Sequence, residues 1–438
     1  METDKTTLAD LSVFNVEGEV SVFSKLNLAR TTNGSEQLRT NFSTALKTIE
    51  EIQGIQQTIR LIGEKQQSWP MMISNGTVMV VEKFYETSID DIPVHPTAIS
   101  SFGYKLFHGP DFSLVKYSTG HCFDFIKGMQ VMIALFLSDD APAPLKKILE
   151  KAKNILEKEQ FAAVEKNNKA DGLSIAELLQ LARFLRYQYK QNMMDLLGIY
   201  AQLDAWYGMA VAVKQFGLEF PEFIESDQPV ITTKGLYHIL LGTPIAYDLE
   251  LNPQSNFIFL TGANMAGKST FIKSVGTAVF LAHTGIGVPA QQMRLTVFDG
   301  LLSNINVVDN IVKGESYFYN EVQRIKATVT KINDGRKWLI LIDELFKGTN
   351  VQDAMKCSST VIKGMLKIRN SLFILSTHLY EIGEELKQYP NISFKYFETT
   401  VTDEQLRFSY QLKDGISNDR LGYLILKKEG VVEMLEKL

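Results

Sequence analysis

Nine residues decide the fold of the C-terminal half of the chain: Gly262-Ala263-Asn264-Met265-Ala266-Gly267-Lys268-Ser269-Thr270. They fit the pattern G-x-x-x-x-G-K-[ST], and they lie between an apolar run, Asn256–Thr261, and a stretch with helical periodicity, Ser269–His283. Glycines let the backbone curl so that successive N–H groups face a phosphate, and the start of a helix adds its positive end. The stretch therefore predicts a strand, a phosphate-binding loop and a helix. The predicted nucleotide-binding residues of the loop are Gly262, Asn264, Met265, Ala266, Gly267, Lys268, Ser269 and Thr270.

Within this loop, two side chains are predicted to act on Mg-ATP. The Lys268 cation would approach the β- and γ-phosphates, and the Ser269 hydroxyl would ligate Mg²⁺. A second apolar run, Lys337–Asp343, ends in two acids about 75 residues downstream of Lys268. Asp343 suits the Mg²⁺ role, and Glu344 is placed to polarise a water against the γ-phosphate. For the pair alone, a simple strand-end cap is the alternative, and the upstream loop favours the catalytic interpretation.

His378 follows the next apolar run, Ser371–Ser376. A histidine at the carboxyl end of such a strand can sense the γ-phosphate, although a lone histidine is more often structural. The sequence therefore gives Glu344, Lys268 and His378 as candidate catalytic residues.

The composition of the chain limits the other classes of protein to which it could belong. The 438 residues are 45% hydrophobic and 22% charged, which is an ordinary globular balance, and the net charge of −5 shows no overall basic excess for nucleic acid. Cys122 and Cys357 lie far apart and form no metal-ligand spacing. The polar N-terminus leads into no signal-type apolar run, and the longest apolar runs are strand-sized. We therefore expect a soluble, cytoplasmic protein with no membrane segment.

Two halves of the chain differ in pattern. Residues 1–228 are mostly helical in their periodicity, as in Ile49–Ile62, Leu145–Leu156 and Ile175–Leu185. From residue 229 to 438 short apolar strands alternate with helices, including a predicted helix at 353–368. This alternation is typical of an α/β domain with a mainly parallel sheet.

The motifs together resemble the MutS mismatch-repair ATPases, which belong to the ABC-type ATPase class. The matching stretches are Thr261–Thr270, Ile286–Gln291, Asp343–Asn350, Thr377–Glu381 and, near the N-terminus, Leu28–Arg39. The resemblance implies an α/β P-loop (ABC-type) ATPase domain at 229–438, preceded by a mostly α-helical core or lever domain at 1–228.

In this family two subunits meet head to tail, and each ATP site is completed by the neighbour. The resemblance implies that Ser316, with Phe318 and Glu321 behind it, faces the γ-phosphate bound in the other subunit; an ordinary helix N-cap is the alternative for Ser316. Asp353 would lie near the dimer seam. The residues placed against adenine would be Pro244, Ile245 and Tyr410.

The chain also departs from the family pattern. No stretch matches the N-terminal mismatch reader or the β-rich DNA clamp. Ala263 stands where Pro is usual, Asn304 where Arg is typical, Tyr317 where Thr is, and Phe346 where Gly is. None of these changes removes a phosphate or metal ligand, so they bear on dimer contacts and on coupling to DNA.

The leading hypothesis is a MutS-like ATPase of DNA mismatch repair and DNA damage that forms an ATP-dependent homodimer and couples hydrolysis to DNA binding. Direct mismatch reading by this chain alone is not expected, and a second repair protein is a further candidate partner. The alternative is a nucleotide-gated ATPase scaffold that acts on a protein partner without DNA.

Overall fold

The computed structural model of the protein describes residues 1–14, 20–306, 317–402, 405–417, 426–427 and 430–436. The chain divides into two compact units. The sheet unit comprises Met1–Lys25, Ala45–Ile52 and Phe216–Leu438, and the helical unit comprises Leu26–Thr44 and Gln53–Gln215. Compared with the predicted boundary at 228/229, the structure groups residues 1–25, 45–52 and 216–228 with the C-terminal unit.

The described helices, in chain order, are α1 (Lys5–Asp10), α2 (Val22–Leu26), α3 (Thr32–Ser43), α4 (Ile49–Glu64), α5 (Asn75–Glu86), α6 (Ala98–Phe107), α7 (Gly109–Phe136), α8 (Ala143–Leu156), α9 (Ala162–Lys166), α10 (Ile175–Gln188), α11 (Lys190–Phe216), α12 (Lys268–His283), α13 (Tyr317–Ile332), α14 (Val351–Met365), α15 (Glu381–Leu386) and α16 (Val431–Glu436). Short 3₁₀ turns lie at Gln66–Ser68, Glu159–Phe161 and Ala170–Gly172. The described strands are β1 (Glu222–Phe223), β2 (Ile231–Leu236), β3 (Tyr247–Leu251), β4 (Phe257–Thr261), β5 (Gln292–Leu295), β6 (Gly300–Asn304), β7 (Trp338–Asp343), β8 (Ser371–Ser376), β9 (Ile392–Thr402) and β10 (Gln405–Asp414).

The larger sheet carries the candidate site. Its described strands lie in the order β10-β9-β4-β8-β7-β6, and every pairing is parallel except that of β9 with β10. β4, β7 and β8 are buried along their whole length, which explains why each sequence is continuously apolar rather than alternating. The predicted mainly parallel sheet is thus confirmed, with an antiparallel edge added.

The smaller sheet was not predicted. Its strands lie in the order β1-β5-β2-β3, and β2 is antiparallel to both of its neighbours. β2 and β3 bury alternate residues and contain polar ones, so their signal is much weaker than that of the buried strands.

The N-terminal segment joins the larger sheet at its β6 edge. Glu2 forms a parallel bridge with Gly300, and its N–H donates to the Asp299 carbonyl at 2.6 Å. Eight residues later the buried Asp10 carboxylate accepts hydrogen bonds from Ser303 Oγ at 2.6 Å and from the N–H of Ile305 at 3.0 Å. These contacts explain why residues 1–25 belong to the sheet unit.

Within the helical unit, α7 contacts α5, α6, α8, α9 and α10, and α11 is mostly buried. The Asp204 carboxylate of α11 is fully buried, and burial raises its pKa. It accepts hydrogen bonds from the Thr31 N–H at 2.8 Å and from the Thr31 hydroxyl at 2.7 Å. Among the described helices, α11 is long and apolar enough to cross a membrane, but most of it is buried inside the fold, as in the core helix of a globular protein.

Candidate active site

The loop between β4 and α12 has the backbone of a phosphate cradle. Gly262, Met265 and Gly267 have φ angles of 138°, 66° and 110°, values that favour glycine. Gly267 precedes the first turn of α12, and no side chain caps that turn. The N–H groups at the start of α12 are therefore available to an anion.

Lys268 lies at the bottom of this loop. Its ammonium donates to the carbonyl of Gly262 at 2.9 Å and to that of Ala263 at 3.0 Å, and the residue is only 5% exposed. Burial lowers the pKa of Lys268, while the nearby Glu344 and Asp343 carboxylates act in the opposite direction. The result is a buried cation held against the loop.

Asp343 and Ser269 are in direct contact. Asp343 ends β7, and its carboxylate accepts hydrogen bonds from the Ser269 hydroxyl and from the Ser376 hydroxyl. Ser376 pairs with Asp343 in the parallel register of β7 and β8, which explains the second contact. Both oxygens of the carboxylate are therefore oriented.

Glu344 has a donor at each oxygen. His378 Nε2 lies 2.7 Å from Glu344 Oε1, and Lys347 Nζ lies 3.1 Å from Oε2. Burial acts to raise the pKa of Glu344, but the hydrogen bonds and charges of His378 and Lys347 outweigh it and lower the pKa to about 2. Glu344 itself has a φ of 67°, an uncommon backbone conformation for a residue other than glycine. The residue is therefore a strained, firmly ionised carboxylate.

Glu321 of α13 supports the turn that follows Glu344. It is 4% exposed, and its two oxygens accept the N–H groups of Lys347 at 3.1 Å and Gly348 at 3.2 Å. Phe318 packs against the buried Phe346, with ring centroids 5.7 Å apart. Both residues thus brace the acid-bearing turn of their own chain.

An open cleft of about 650 Å³ lies beside the loop. Its walls include Lys268, Ser269, Glu344, Ile245 and Tyr410. The remaining lining residues are Leu241, Thr243, Tyr247, Ala263, Asn264, Met265, Gly267 and Thr270. The cleft is therefore lined by most of the residues predicted to contact phosphate and adenine, whereas the predicted site residues Pro244, Gly262, Ala266, Asp343 and His378 are not part of its lining.

The side-chain oxygens of Ser269 and Asp343 are suitable ligands for a magnesium ion. Ser269 Oγ and the Asp343 carboxylate are hydrogen-bonded to each other, so one ion could be reached by both. Mg²⁺ prefers hard oxygen ligands and is usually held by one or two protein groups together with substrate phosphates and water.

The predicted dimer residue Asp353 is not part of the cleft lining. It lies exposed in the first turn of α14, where the Asn350 side chain accepts its N–H at 3.0 Å. Ser316 lies outside the described residues.

The sequence did not indicate two residues of this constellation, Ser376 and Lys347, nor the bracing role of the predicted residue Glu321. Ser376 carried a usable signal, because the carboxyl ends of adjacent parallel strands meet at one sheet edge. Lys347 stands three residues after Glu344, but whether its amine turns toward the carboxylate depends on the folded turn.

The fold and cleft define this part of the chain as a mixed α/β domain whose central strand, glycine-rich loop and helix face two strand-end acids. Residues 258–435 match the family model of MutS domain V, which is the ABC-type ATPase domain. This part of the chain is therefore similar to the ATPase domain of the MutS proteins.

The similar proteins described here are each named DNA mismatch repair protein MutS. The chain is 26% identical over 254 residues to the DNA mismatch repair protein MutS of Petrotoga mobilis. This aligned region covers 57% of this chain and 31% of that protein. It is 30% identical over 231 residues to that of Pseudothermotoga lettingae, covering 52% and 28%. For Aquifex pyrophilus the identity is 31% over 186 residues, covering 42% and 22%. The match thus spans less than a third of the length of these relatives.

Proposed function

We propose that this chain is an ATPase that binds Mg-ATP in the cleft beside loop 262–270 and hydrolyses it. The observation that carries the proposal is that Lys268, Ser269 and Glu344 line a single cleft and that the Ser269 hydroxyl donates a hydrogen bond to the Asp343 carboxylate. A buried cation, an uncapped helix start and two acids form a constellation suited to phosphoryl transfer.

Each of these residues has a distinct task in the proposed reaction. Lys268 and the N–H groups at the start of α12 bind and orient the phosphates. Ser269 and Asp343 would hold Mg²⁺, which neutralises charge on the phosphate oxygens when bound. Glu344 accepts a hydrogen bond from the attacking water and orients it toward the γ-phosphate.

The low pKa of Glu344 defines its role more closely. A carboxylate with a pKa of about 2 is a weak base, so it holds the water by hydrogen bonding and charge rather than by keeping its proton. His378 and Lys347 keep this carboxylate ionised and fix its orientation. We also propose that His378 senses the γ-phosphate.

The proposal extends to assembly and to DNA. The relatives named above are DNA mismatch repair proteins, which supports coupling of hydrolysis to DNA binding. The homodimer formed on ATP is what the resemblance to this family implies. In that dimer Ser316 would complete the partner's site, and Asp353 would lie at the seam. Phe318 and Glu321 would transmit the contact, since they brace the turn that follows Glu344.

The test compares ATP hydrolysis by the wild type and Glu344→Gln, with and without duplex and branched DNA at several salt concentrations. Glu344→Gln should bind ATP like the wild type and lower kcat about 100-fold or more. Glu384→Gln is the matched control, because Glu384 lies on the surface and pairs with Lys387. Hydrolysis unaffected by Glu344→Gln would refute the assignment.

The DNA arm distinguishes the two functions. Stimulation by DNA that falls with rising salt would support a DNA-directed ATPase, because phosphate contacts release counterions. A normal basal rate that no DNA changes would instead support an ATPase scaffold acting on a protein partner.

A further inference from the structure

Helix α6 of the helical unit presents an apolar face to solvent. Ile99, Phe102 and Leu106 follow one another at the i, i+3, i+7 spacing of a single helix face and are 87%, 61% and 66% exposed. Phe107, at the edge of the same face, is 79% exposed. These four residues are named the α6 face below.

The area of the α6 face is near the upper end of the apolar patches that monomers expose. Four side chains at these exposures present on the order of 550 Å² of apolar surface. The largest apolar patch of a typical monomer is about 300–600 Å², and each partner of a standard protein interface buries about 800 Å². The α6 face would therefore supply most of one side of a stable interface.

The opposite side of α6 is firmly held. Ser101 and Tyr104 are buried, and the Tyr104 hydroxyl donates to the Asp90 carbonyl at 3.2 Å. Thr97 and Ser100 form a capping box at the start of the helix. Because these contacts fix the helix, its apolar face cannot turn inward without breaking them.

The order of residues along α6 suits a copy of itself. In an antiparallel pair centred between residues 102 and 103, Ile99 of each copy lies opposite Leu106 of the other, and the two Phe102 rings meet beside the two-fold axis. Gly103 lies on the same face, and a Cβ built there has no atom within 4 Å. It leaves room for the paired rings. Lys105 lies on the flank, so this pairing buries no like charges face to face.

We propose that the α6 face is an interface between two copies of this chain, with a two-fold axis between residues 102 and 103. The residue pattern fits an isologous contact, in which residue i meets j and j meets i. This dimer does not depend on ATP and does not rest on the proposed ATPase function.

The first test measures oligomeric state by sedimentation velocity without nucleotide, over about a 100-fold range of concentration. The wild type should dimerise, and Phe102→Glu should raise the dimer dissociation constant about 30-fold or more. Ile99→Glu should act in the same direction. Met71→Glu is the control, since Met71 is 67% exposed outside the α6 face. Circular dichroism verifies that each variant is folded.

A cross-linking test addresses the register. In a Cys357→Ser background, Phe102→Cys should form a disulfide-linked dimer on oxidation with diamide, whereas Lys105→Cys on the flank should not. The other cysteine, Cys122, is buried. Efficient cross-linking of Lys105→Cys with none for Phe102→Cys would overturn the proposed two-fold axis.

Four outcomes would overturn the interface itself. The wild type could be monomeric at every concentration, or its dimer could be unaffected by both glutamate variants. The dimer could require ATP and be lost in Lys268→Ala, which would place the contact at the ATPase site. The chain could also remain monomeric while Phe102→Glu abolishes binding to phospholipid vesicles, which would identify a lipid surface as the occupant.

Discussion

Glu344 offers a test of how a buried carboxylate is kept ionised in the candidate site. Its two oxygens contact His378 and Lys347, and burial alone acts to raise its pKa. Replacing both partners, as His378→Ala with Lys347→Met, should therefore let burial dominate. A protonated Glu344 cannot orient the attacking water, so hydrolysis should become sensitive to acid.

The size of the effect follows from the two contacts. A hydrogen bond to a charged group contributes about 1.5–3 kcal/mol, and one pKa unit corresponds to about 1.4 kcal/mol. Loss of both contacts should raise the pKa of Glu344 from about 2 into the range of about 4 to 6. The kcat of the double variant should then fall as the pH decreases through that range, while the wild type shows no such decline attributable to Glu344.

The assay is steady-state ATP hydrolysis from pH 8 to about pH 5, with nucleotide affinity measured in parallel. His378→Gln is the matched control, because the amide keeps a hydrogen-bond donor near Oε1. A double variant whose profile has the same shape as that of the wild type, only scaled down, would refute the reasoning.

The same pKa also predicts acid sensitivity of the fold. Because the pKa of Glu344 is lower in the folded state than its ordinary 4.5, the ionised carboxylate stabilises the protein above pH 4.5. This contribution, at most about 3 kcal/mol, is lost as the pH falls from 4.5 toward 2. The loss should appear as reduced free energy of unfolding in wild type and be absent in Glu344→Gln.

Three further substitutions test contacts that stabilise the sheet unit and the candidate site. Asp10→Ala should destabilise the sheet unit by about 3–5 kcal/mol, because it leaves buried hydrogen-bond donors at residues 303–306 without an acceptor. Amide hydrogen exchange at these residues should then be faster than in the wild type, and unchanged protection would contradict the prediction. Glu321→Ala should lower kcat and destabilise by about 2–4 kcal/mol through two lost acceptors, with exposed Glu384→Ala as control. Gly267→Ala should weaken ATP binding about tenfold, since φ is 110° and the new Cβ would lie 3.4 Å from Tyr410; unchanged affinity in a fluorescent-nucleotide titration would exclude that strain.

Local patterns in the sequence determined the centre of the domain. A continuous apolar run marks a strand buried on both faces, and glycines at fixed positions mark a backbone that other residues rarely adopt. For this reason the predicted strands before Gly262, Glu344 and Thr377 match the structure within a residue. The helix after the loop begins at Lys268 and ends at His283.

The tertiary structure decided what depends on contacts between distant residues. The periodicity of the sequence does not indicate that Asp10 binds the end of β6, nearly 300 residues away. It also does not indicate that Glu321 accepts hydrogen bonds from the turn after Glu344. In the sequence, α6 has the same apolar spacing as any amphipathic helix. This spacing shows which residues share a face but not whether other parts of the protein bury that face. Local sequence specifies backbone conformation and spacing, whereas partner choice and burial are set only when the whole chain has packed.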